Sequence, residues 1–297
     1  MRSLHIAPHA KVNLGLRILG RRPDGYHDLE TRFQTIDLCD ELELREHPRT
    51  LRLRVEGTDL PSDDSNLVMQ AARRLRDSNP GLPGATIVLR KRIPIAAGLG
   101  GGSSNAGATL MGLNHLWDLR LPEEELRGLA ASLGADVPFF LVGGCALGSG
   151  RGDILAALED LPSCWLALVL PGFHSSTPEA FRLWDARAAV APDREEREGS
   201  LVSAAGDLSS AALHNDFEAV LFERFPVLAE HRDRLLRLGA TAAALSGSGP
   251  SLYGVFDSED TLRRALNDPG WGAVQRHAAA PVGRAAYRRR LGIPLSD

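Results

Sequence analysis

Lysine is almost missing from this chain. Of 34 basic residues among 297, only Lys11 and Lys91 are lysines and all the others are arginine. A GC-rich gene explains the general bias toward arginine and alanine. Where arginine has replaced lysine nearly everywhere, however, a surviving lysine marks a place that needs a compact ammonium rather than a planar fork. Cysteine is scarce too. Cys39, Cys145 and Cys164 are odd in number and form no C-x-x-C pair, which excludes a disulfide framework and a zinc site of the usual spacing. No apolar run approaches the length of a membrane span, and the start M-R-S-L-H-I-A-P-H-A-K has no apolar signal core. A cytoplasmic, unexported protein with no membrane partner is expected. A formal charge of −4 excludes a general nucleic-acid binder, and the arginine clusters at Arg73, Arg74 and Arg76 or Arg288 to Arg290 read as solvated faces. Two nucleotide fingerprints are absent as well. No G-x-x-x-x-G-K-[ST] occurs, and G-x-G-x-x-G begun at Gly98 fails at Ser103.

What is present centres on Pro94 to Leu116, reading P-I-A-A-G-L-G-G-G-S-S-N-A-G-A-T-L-M-G-L-N-H-L. Gly98, Gly100, Gly101 and Gly102 lack a Cβ, so the backbone there can take positive φ and let a ligand reach its N–H groups. Ser103, Ser104 and Asn105 follow as good N-cap residues for a helix whose apolar positions, Ala106, Leu110, Leu113 and Trp117, recur at three- and four-residue spacing. A glycine loop feeding a helix N-terminus leaves backbone donors unpaired at the positive end of the dipole, which is the physics of a phosphate site. The plainer reading is a tight turn before a buried helix. Four glycines in five positions, running into three capping side chains, are more backbone freedom than a turn uses.

At 297 residues the chain exceeds what one hydrophobic core usually serves, and two domains are expected, 1–158 and 159–297. His5 to Ala7 and Val12 to Leu19 read as strands, with Ala10-Lys11-Val12-Asn13 at their junction. Arg22-Pro23-Asp24-Gly25 is a turn signal that either presents Tyr26 and His27 at a loop tip or leaves Tyr26 packed on the sheet and His27 capping the turn. Strands are expected at Glu41 to Arg45, Leu51 to Val55 and Ala85 to Leu89, and Asp63 to Asn66 offer caps for a helix through Leu67, Ala71 and Leu75. A helix from Pro122 to Leu133, with an acidic first turn and Gly134 as C-cap, delivers Gly134-Ala135-Asp136-Val137-Pro138-Phe139-Phe140.

Asp136 in that motif has apolar neighbours, a costly setting for a carboxylate unless it is paired or hydrogen-bonded. Capping a short helix from Val137 to Leu141 would account for it; so would a lysine and an aspartate facing the same phosphates. Gly143 to Gly152 reads as a hairpin, Trp165 to Leu170 as a strand opening the second half, and Phe217 to Phe222 and Leu228 to Leu238 as helices. Residues 188–200, with Pro192 and a charged run from Asp193 to Glu198, read as a mobile surface loop. Ala242 to Leu245 leads through Ser246-Gly247-Ser248-Gly249-Pro250 into a strand from Ser251 to Phe256; that turn is either a simple hairpin or a flap closing over the first loop.

Together, Ala10-Lys11-Val12-Asn13, the loop from Pro94 to Asn105, Gly134-Ala135-Asp136-Val137-Pro138 and Leu245-Ser246-Gly247-Ser248-Gly249 resemble the GHMP kinases in motif and in order, over about Ala7 to Phe256. The resemblance implies an α+β fold of two domains, the first like domain 2 of ribosomal protein S5 and the second ferredoxin-like, with the site between them. It implies ATP and Mg²⁺, with Asp136 as general base for a substrate hydroxyl and Lys11 holding that carboxylate. Gly98, Leu99, Gly100, Gly101, Gly102, Ser103 and Ser104 would wrap the ATP phosphates, Pro94 and Ala97 would join the nucleotide set, and Asn66 and Lys91 would lie nearer the adenosine.

The stretch G-R-R-P-D-G-Y-H-D-L-E-T-R-F-Q from Gly20 to Gln34 narrows the resemblance to a branch acting on a small alcohol that carries a cytidine diphosphate group. Asn13, Tyr26, His27 and Phe181 would grip its cytidine end, His27 by hydrogen bonds to the base and the two aromatic rings by stacking. Ser246, Gly247, Ser248 and Gly249 would close the site. His9 stands where proline often precedes the Ala-Lys pair, Ala96 and Ala97 where glycine is frequent, and Asn105 where aspartate is frequent; none of these removes a group the chemistry requires. A monomer or weak homodimer without a nucleic-acid partner is expected. Two other readings stand beside it: a GHMP kinase for homoserine, mevalonate or a sugar, and a non-catalytic nucleotide-binding module, which would need no base and no reason to keep both Lys11 and Asp136.

Overall fold

The computed structural model describes residues 2–190 and 207–293. The first half runs β1 (Ser3–Ile6), β2 (His9–Arg21), β3 (His27–Cys39), β4 (Glu41–His47), β5 (Leu51–Glu56), α1 (Leu67–Asp77), β6 (Gly84–Arg90), α2 (Gly101–Leu116), α3 (Glu123–Leu133), α4 (Phe139–Val142), β7 (Cys145–Ser149) and β8 (Ile154–Ala157). The second runs β9 (Trp165–Leu170), α5 (Thr177–Val190), α6 (Glu218–Arg224), α7 (Pro226–Arg237), β10 (Ala242–Leu245), β11 (Leu252–Phe256), α8 (Glu259–Leu266), β12 (Gln275–Ala279) and α9 (Arg284–Leu291). Among the described residues these strands form three sheets, ordered β1-β4-β6-β5, β2-β3-β7-β8 and β10-β11-β9-β12. The third sheet, antiparallel with its first strand central and helices after its first and third strands, has the ferredoxin-like order.

The glycine loop is positioned by the first sheet and its helices. Ala85, Ile87 and Leu89 alternate inward along β6, and α1 and α2 lay Leu75, Leu110 and Leu113 against them in one core. Asn66 caps α1 as expected, accepting a hydrogen bond from the Val68 N–H at 3.0 Å. No helix among the described residues is long and apolar enough to cross a membrane.

Four expectations need correction. Ala10 to Asn13 lie inside β2, whose pairing with β3 is continued past irregularities rather than broken into separate strands. The helix after the glycines starts at Gly101, with Gly100 as its N-cap at φ 68° and no capping side chain, so Ser103, Ser104 and Asn105 lie in its first turn instead of before it. Residues 188–190 continue α5; the rest of the stretch expected to be mobile, 191–200, lies outside the described residues. A boundary at 158 does not cleanly separate two domains. Val282, Tyr287, Leu291 and Ile293 return to the core of the first half, while Leu16 and Ile18 of β2 are buried in the core of the second. Apolar complementarity, not chain position, decides where these segments pack.

Candidate active site

Lysine and aspartate meet at the junction of the two halves. Lys11 Nζ lies 3.2 Å from Asp136 Oδ2; the lysine side chain is 4% exposed and the aspartate 35%. Lys11 Nζ also donates to Asn13 Oδ1 at 2.5 Å and sits 5.5 Å from the Phe33 ring centre. The pair is thus fixed from the buried side and open toward solvent on the carboxylate side. Asp136 does not cap α4, whose N-cap is Pro138 with no side-chain cap bond. Its oxygen is turned to the ammonium instead.

Asn13 lies beside the lysine and lines the same cavity as Tyr26, His27 and Phe181. Residues 11 and 13 share a face of β2 by strand alternation, and the Asn13 amide donates to Thr31 Oγ1 at 2.9 Å while its oxygen takes the lysine. Asn13 therefore braces Lys11. Thr31, which donates in turn to the Gly15 carbonyl at 2.8 Å, completes the brace and carried no signal in the sequence.

The glycine loop passes directly over the lysine. The Lys11 N–H donates to the Leu99 carbonyl at 3.0 Å, and a Cβ added at Gly100 would lie 2.9 Å from both Lys11 Cγ and Phe140 Cζ. Gly100→Ala is accordingly expected to cut kcat/KM by about 10²-fold, because it strains a positive-φ position and displaces the lysine stem by a fraction of an ångström or more. Steady-state kinetics with the full-length variant would show it. Parent-like kinetics would mean that the loop can yield without moving Lys11.

Two side chains at the loop are held by the fold itself. Ser104 is 1% exposed and donates its hydroxyl to the His9 carbonyl at 2.6 Å, so its side chain is turned into the fold. Lys91 forms a buried ion pair with Asp40 and donates to Asn105 Oδ1 at 3.2 Å. Asp40, fully buried, also accepts from the backbone N–H groups of Arg92 and Ile93 at 2.7 and 2.8 Å and from the Asn105 amide at 2.8 Å. The charge of Lys91 is thus committed to anchoring the root of the loop and the first turn of α2. Asp40 answers the need of a buried cation for a partner.

Two cavities flank the loop. One of about 820 Å³ is lined by Lys11, Asp136, Gly98, Gly100, Ser103, Gly247 and Ser248 at one end and by Tyr26, His27, Phe181 and Asp185 at the other. A second of about 360 Å³ shares Gly98, Gly100 and Ser103 with it and is bounded by Asn66, Lys91, Pro94, Ala97, Leu99, Gly101 and Gly102. Tyr26 is 57% exposed beside Arg151, whose guanidinium lies 5.1 Å from the ring, so it stands at the loop tip and is not packed on the sheet. His27 opens β3 and caps no turn. Its Nε2 is 2.7 Å from Asp185 Oδ1, and its ring lies on Phe181 with centroids 4.4 Å apart and planes 12° apart. One face of Phe181 is therefore taken by the histidine.

The Ser246 to Gly249 turn is a flap as well as a hairpin. Ser246 Oγ accepts from the Asn13 N–H at 3.2 Å and donates to the Gly98 carbonyl at 3.4 Å, and Ser248 Oγ is 2.7 Å from Thr177 Oγ1. Glu218 holds the strand before this turn by accepting from the Leu245 N–H at 2.7 Å. Burial pushes the Glu218 carboxyl above its usual range, against the opposing pull of that N–H, Arg232 and His214. A carboxyl with a raised folded pKa contributes stability below its unfolded value, and loses it as pH rises through the folded value. Glu218→Gln should then melt at or above the parent temperature at pH 7, with the difference disappearing near pH 4; a neutral-pH melting point well below the parent would refute the assignment.

Among the described residues no group of three or more His, Cys, Asp or Glu side chains could hold a metal ion. Comparison with known proteins accords with the geometry. Residues 66–144 match the GHMP kinases N terminal domain and residues 198–270 the GHMP kinases C terminal domain. A 4-diphosphocytidyl-2-C-methyl-D-erythritol kinase of Moorella thermoacetica is 44% identical over 265 residues, 88% of this chain and 93% of that protein. The chain belongs to the 4-diphosphocytidyl-2-C-methyl-D-erythritol kinase family of GHMP kinases. A crystal structure of a 4-(cytidine 5'-diphospho)-2C-methyl-D-erythritol kinase superposes on this GHMP kinase with a TM-score of 0.79 at 34% identity, covering 94% of this chain and all of that one. A homoserine kinase of Cytophaga hutchinsonii superposes with a TM-score of 0.73, covering 96% of both chains, but at 19% identity it shares the fold alone. As a member of the GHMP family, the protein is an ATP-dependent small-molecule kinase.

Proposed function

We propose that this kinase transfers the γ-phosphoryl group of ATP to the 2-hydroxyl of 4-diphosphocytidyl-2-C-methyl-D-erythritol, a step in the non-mevalonate (methylerythritol phosphate) route to isoprenoid precursors. The observation that carries the proposal is the 3.2 Å contact between Lys11 and Asp136 in a cavity also lined by Tyr26, His27 and Phe181. Its volume, about 820 Å³, lies within the usual range for small-molecule sites.

In the reaction the alcohol oxygen forms a bond to the γ-phosphorus, the bond from that phosphorus to the bridging oxygen breaks, and ADP leaves. Asp136 accepts the hydroxyl proton while Lys11 steadies the carboxylate and the oxygen being deprotonated. Phosphoryl transfer otherwise asks the protein for alignment and positive potential. The N–H groups of Gly101, Gly102 and Ser103, in the first turn of α2 where no intrahelical partner exists, supply that potential. Pro94, Ala97, Gly98, Leu99 and Gly100 shape the loop around the phosphates, and the adenosine lies in the smaller cavity beside Asn66 and Lys91. Tyr26, His27 and Phe181 receive the cytidine, while Ser246, Gly247, Ser248 and Gly249 close over the transfer.

When bound with the triphosphate, Mg²⁺ would offset part of its negative charge. The donor set suits that cation, which keeps several waters and takes few protein ligands besides phosphate oxygens. Ser103 lines both cavities, and its hydroxyl would be the protein group to hold the cation. The same reading has the protein act in the cytoplasm as a monomer or weak homodimer.

Incubation with ATP, Mg²⁺ and the cytidine-bearing alcohol should yield a new phosphomonoester by phosphorus NMR, with no turnover of homoserine or mevalonate. Turnover of one of those alcohols instead would replace the substrate. ATP binding with no alcohol phosphorylated would point to a non-catalytic module.

A further inference from the structure

We infer that Asp185 sets the base preference of the site by fixing which nitrogen of His27 carries hydrogen, which makes it a positioning residue rather than a catalytic one. The inference rests on the proposal that a cytidine group lies beside His27. Phe181 and Asp185 are one helical turn apart on α5 and share a face. One helix thus supports the plane of the imidazole, through the ring contact of 4.4 Å, and engages its edge, through the 2.7 Å contact at Nε2. The His27 side chain is only 7% exposed, so both contacts are made out of reach of most solvent.

An ionised carboxylate can only accept a hydrogen bond, so the hydrogen of the contact sits on Nε2. In the neutral ring Nδ1 is then an acceptor. The contact to Asp185 is the side-chain hydrogen bond His27 makes among the described residues, which leaves Nδ1 to a ligand in the cavity that both residues line. Cytosine carries an exocyclic amino group, a donor, where uracil carries a carbonyl oxygen. An acceptor at Nδ1 satisfies the amino group and meets the uracil oxygen lone pair to lone pair. Asp185 thereby favours cytosine over uracil without touching either.

Asp185→Asn tests this, because an asparagine amide can donate to Nε2 and so allow the hydrogen to move to Nδ1. The ratio of kcat/KM for the cytidine substrate over its uridine counterpart should fall by roughly tenfold or more, the worth of one mismatched buried hydrogen bond. The change should fall on KM for the cytidine substrate, with KM for ATP as in the parent. Nitrogen-15 NMR of the His27 ring should report hydrogen on Nε2 in the parent and a shift toward Nδ1 in the variant. Asp185→Ala, which offers no donor, should also lower the ratio. Equal losses for both substrates with an unchanged ring form, or an alanine variant with the parent ratio, would overturn the inference. Calorimetric binding of CDP and UDP separates it from the proposed function. Tighter CDP binding that Asp185→Asn abolishes would uphold the inference even if the alcohol were never phosphorylated, whereas equal parent affinities would overturn it whatever the activity.

Discussion

Asp136→Asn should lower kcat by about 10²- to 10⁴-fold, the usual worth of a positioned general base, and leave KM for ATP within a few-fold of the parent. Asparagine keeps the size of the side chain and an oxygen for Lys11 Nζ, now 3.2 Å from the carboxylate, but it cannot take the proton of the attacking hydroxyl. The loss belongs in kcat because the missing interaction develops only as the oxygen attacks. Single-turnover kinetics at saturating ATP and substrate would show whether the chemical step itself has slowed. Near-normal turnover would remove Asp136 from the mechanism.

Lys11→Met should lower kcat by a similar factor, roughly 10²- to 10⁴-fold, for a different reason. Methionine can follow the path of the stem past Gly100 and Phe140, so the effect reports the ammonium rather than a hole in the packing. Losing the ammonium leaves Asn13 Oδ1 without its donor and Asp136 without its cation. Arginine is no substitute, since its planar fork does not fit between the glycine loop and Phe33. Because both side chains serve one proton transfer, the double variant should be scarcely slower than either single variant. Losses that multiply in full would mean that the two act separately. Retained turnover in Lys11→Met would confine that residue to structure.

The elements most legible in the sequence were those whose local signals agree. The strand from Trp165 to Leu170 has the expected limits, and α1 begins after Asn66, where a capping side chain precedes a run with helical spacing. The glycine loop was legible for the same reason, its freedom of φ being a local property. The start of α2 was misread because Gly100 ends the loop without a side-chain cap, while the hydroxyl of Ser104 and the amide of Asn105 serve His9 and Asp40 elsewhere in the fold.

Partnerships across the chain were far less legible. Nothing near Asp40 in sequence announces Lys91, and the composition argument that singled out this lysine could not say whether its charge faced a ligand or a buried carboxylate. The bond from Lys11 to Asn13 was not legible either, because strand alternation puts the two side by side only once β2 is known to run unbroken through both residues. Asp185 and Thr31 were missed altogether. Their roles arise from contacts that no spacing rule encodes, whereas Lys11 and Asp136 were paired through the resemblance of four motifs in one order.

The return of α9 to the first core has a consequence for how the protein is made. Tyr287 closes over Gly143 and donates to the Phe140 carbonyl at 2.6 Å, immediately after the segment bearing Asp136. On the ribosome, where domains generally fold as they emerge, the first half must wait for α9, made only after every strand of the second half, before its interior is sealed. A nascent chain stalled just short of Val282 would hold every catalytic side chain and still lack the wedge that locks their floor in place.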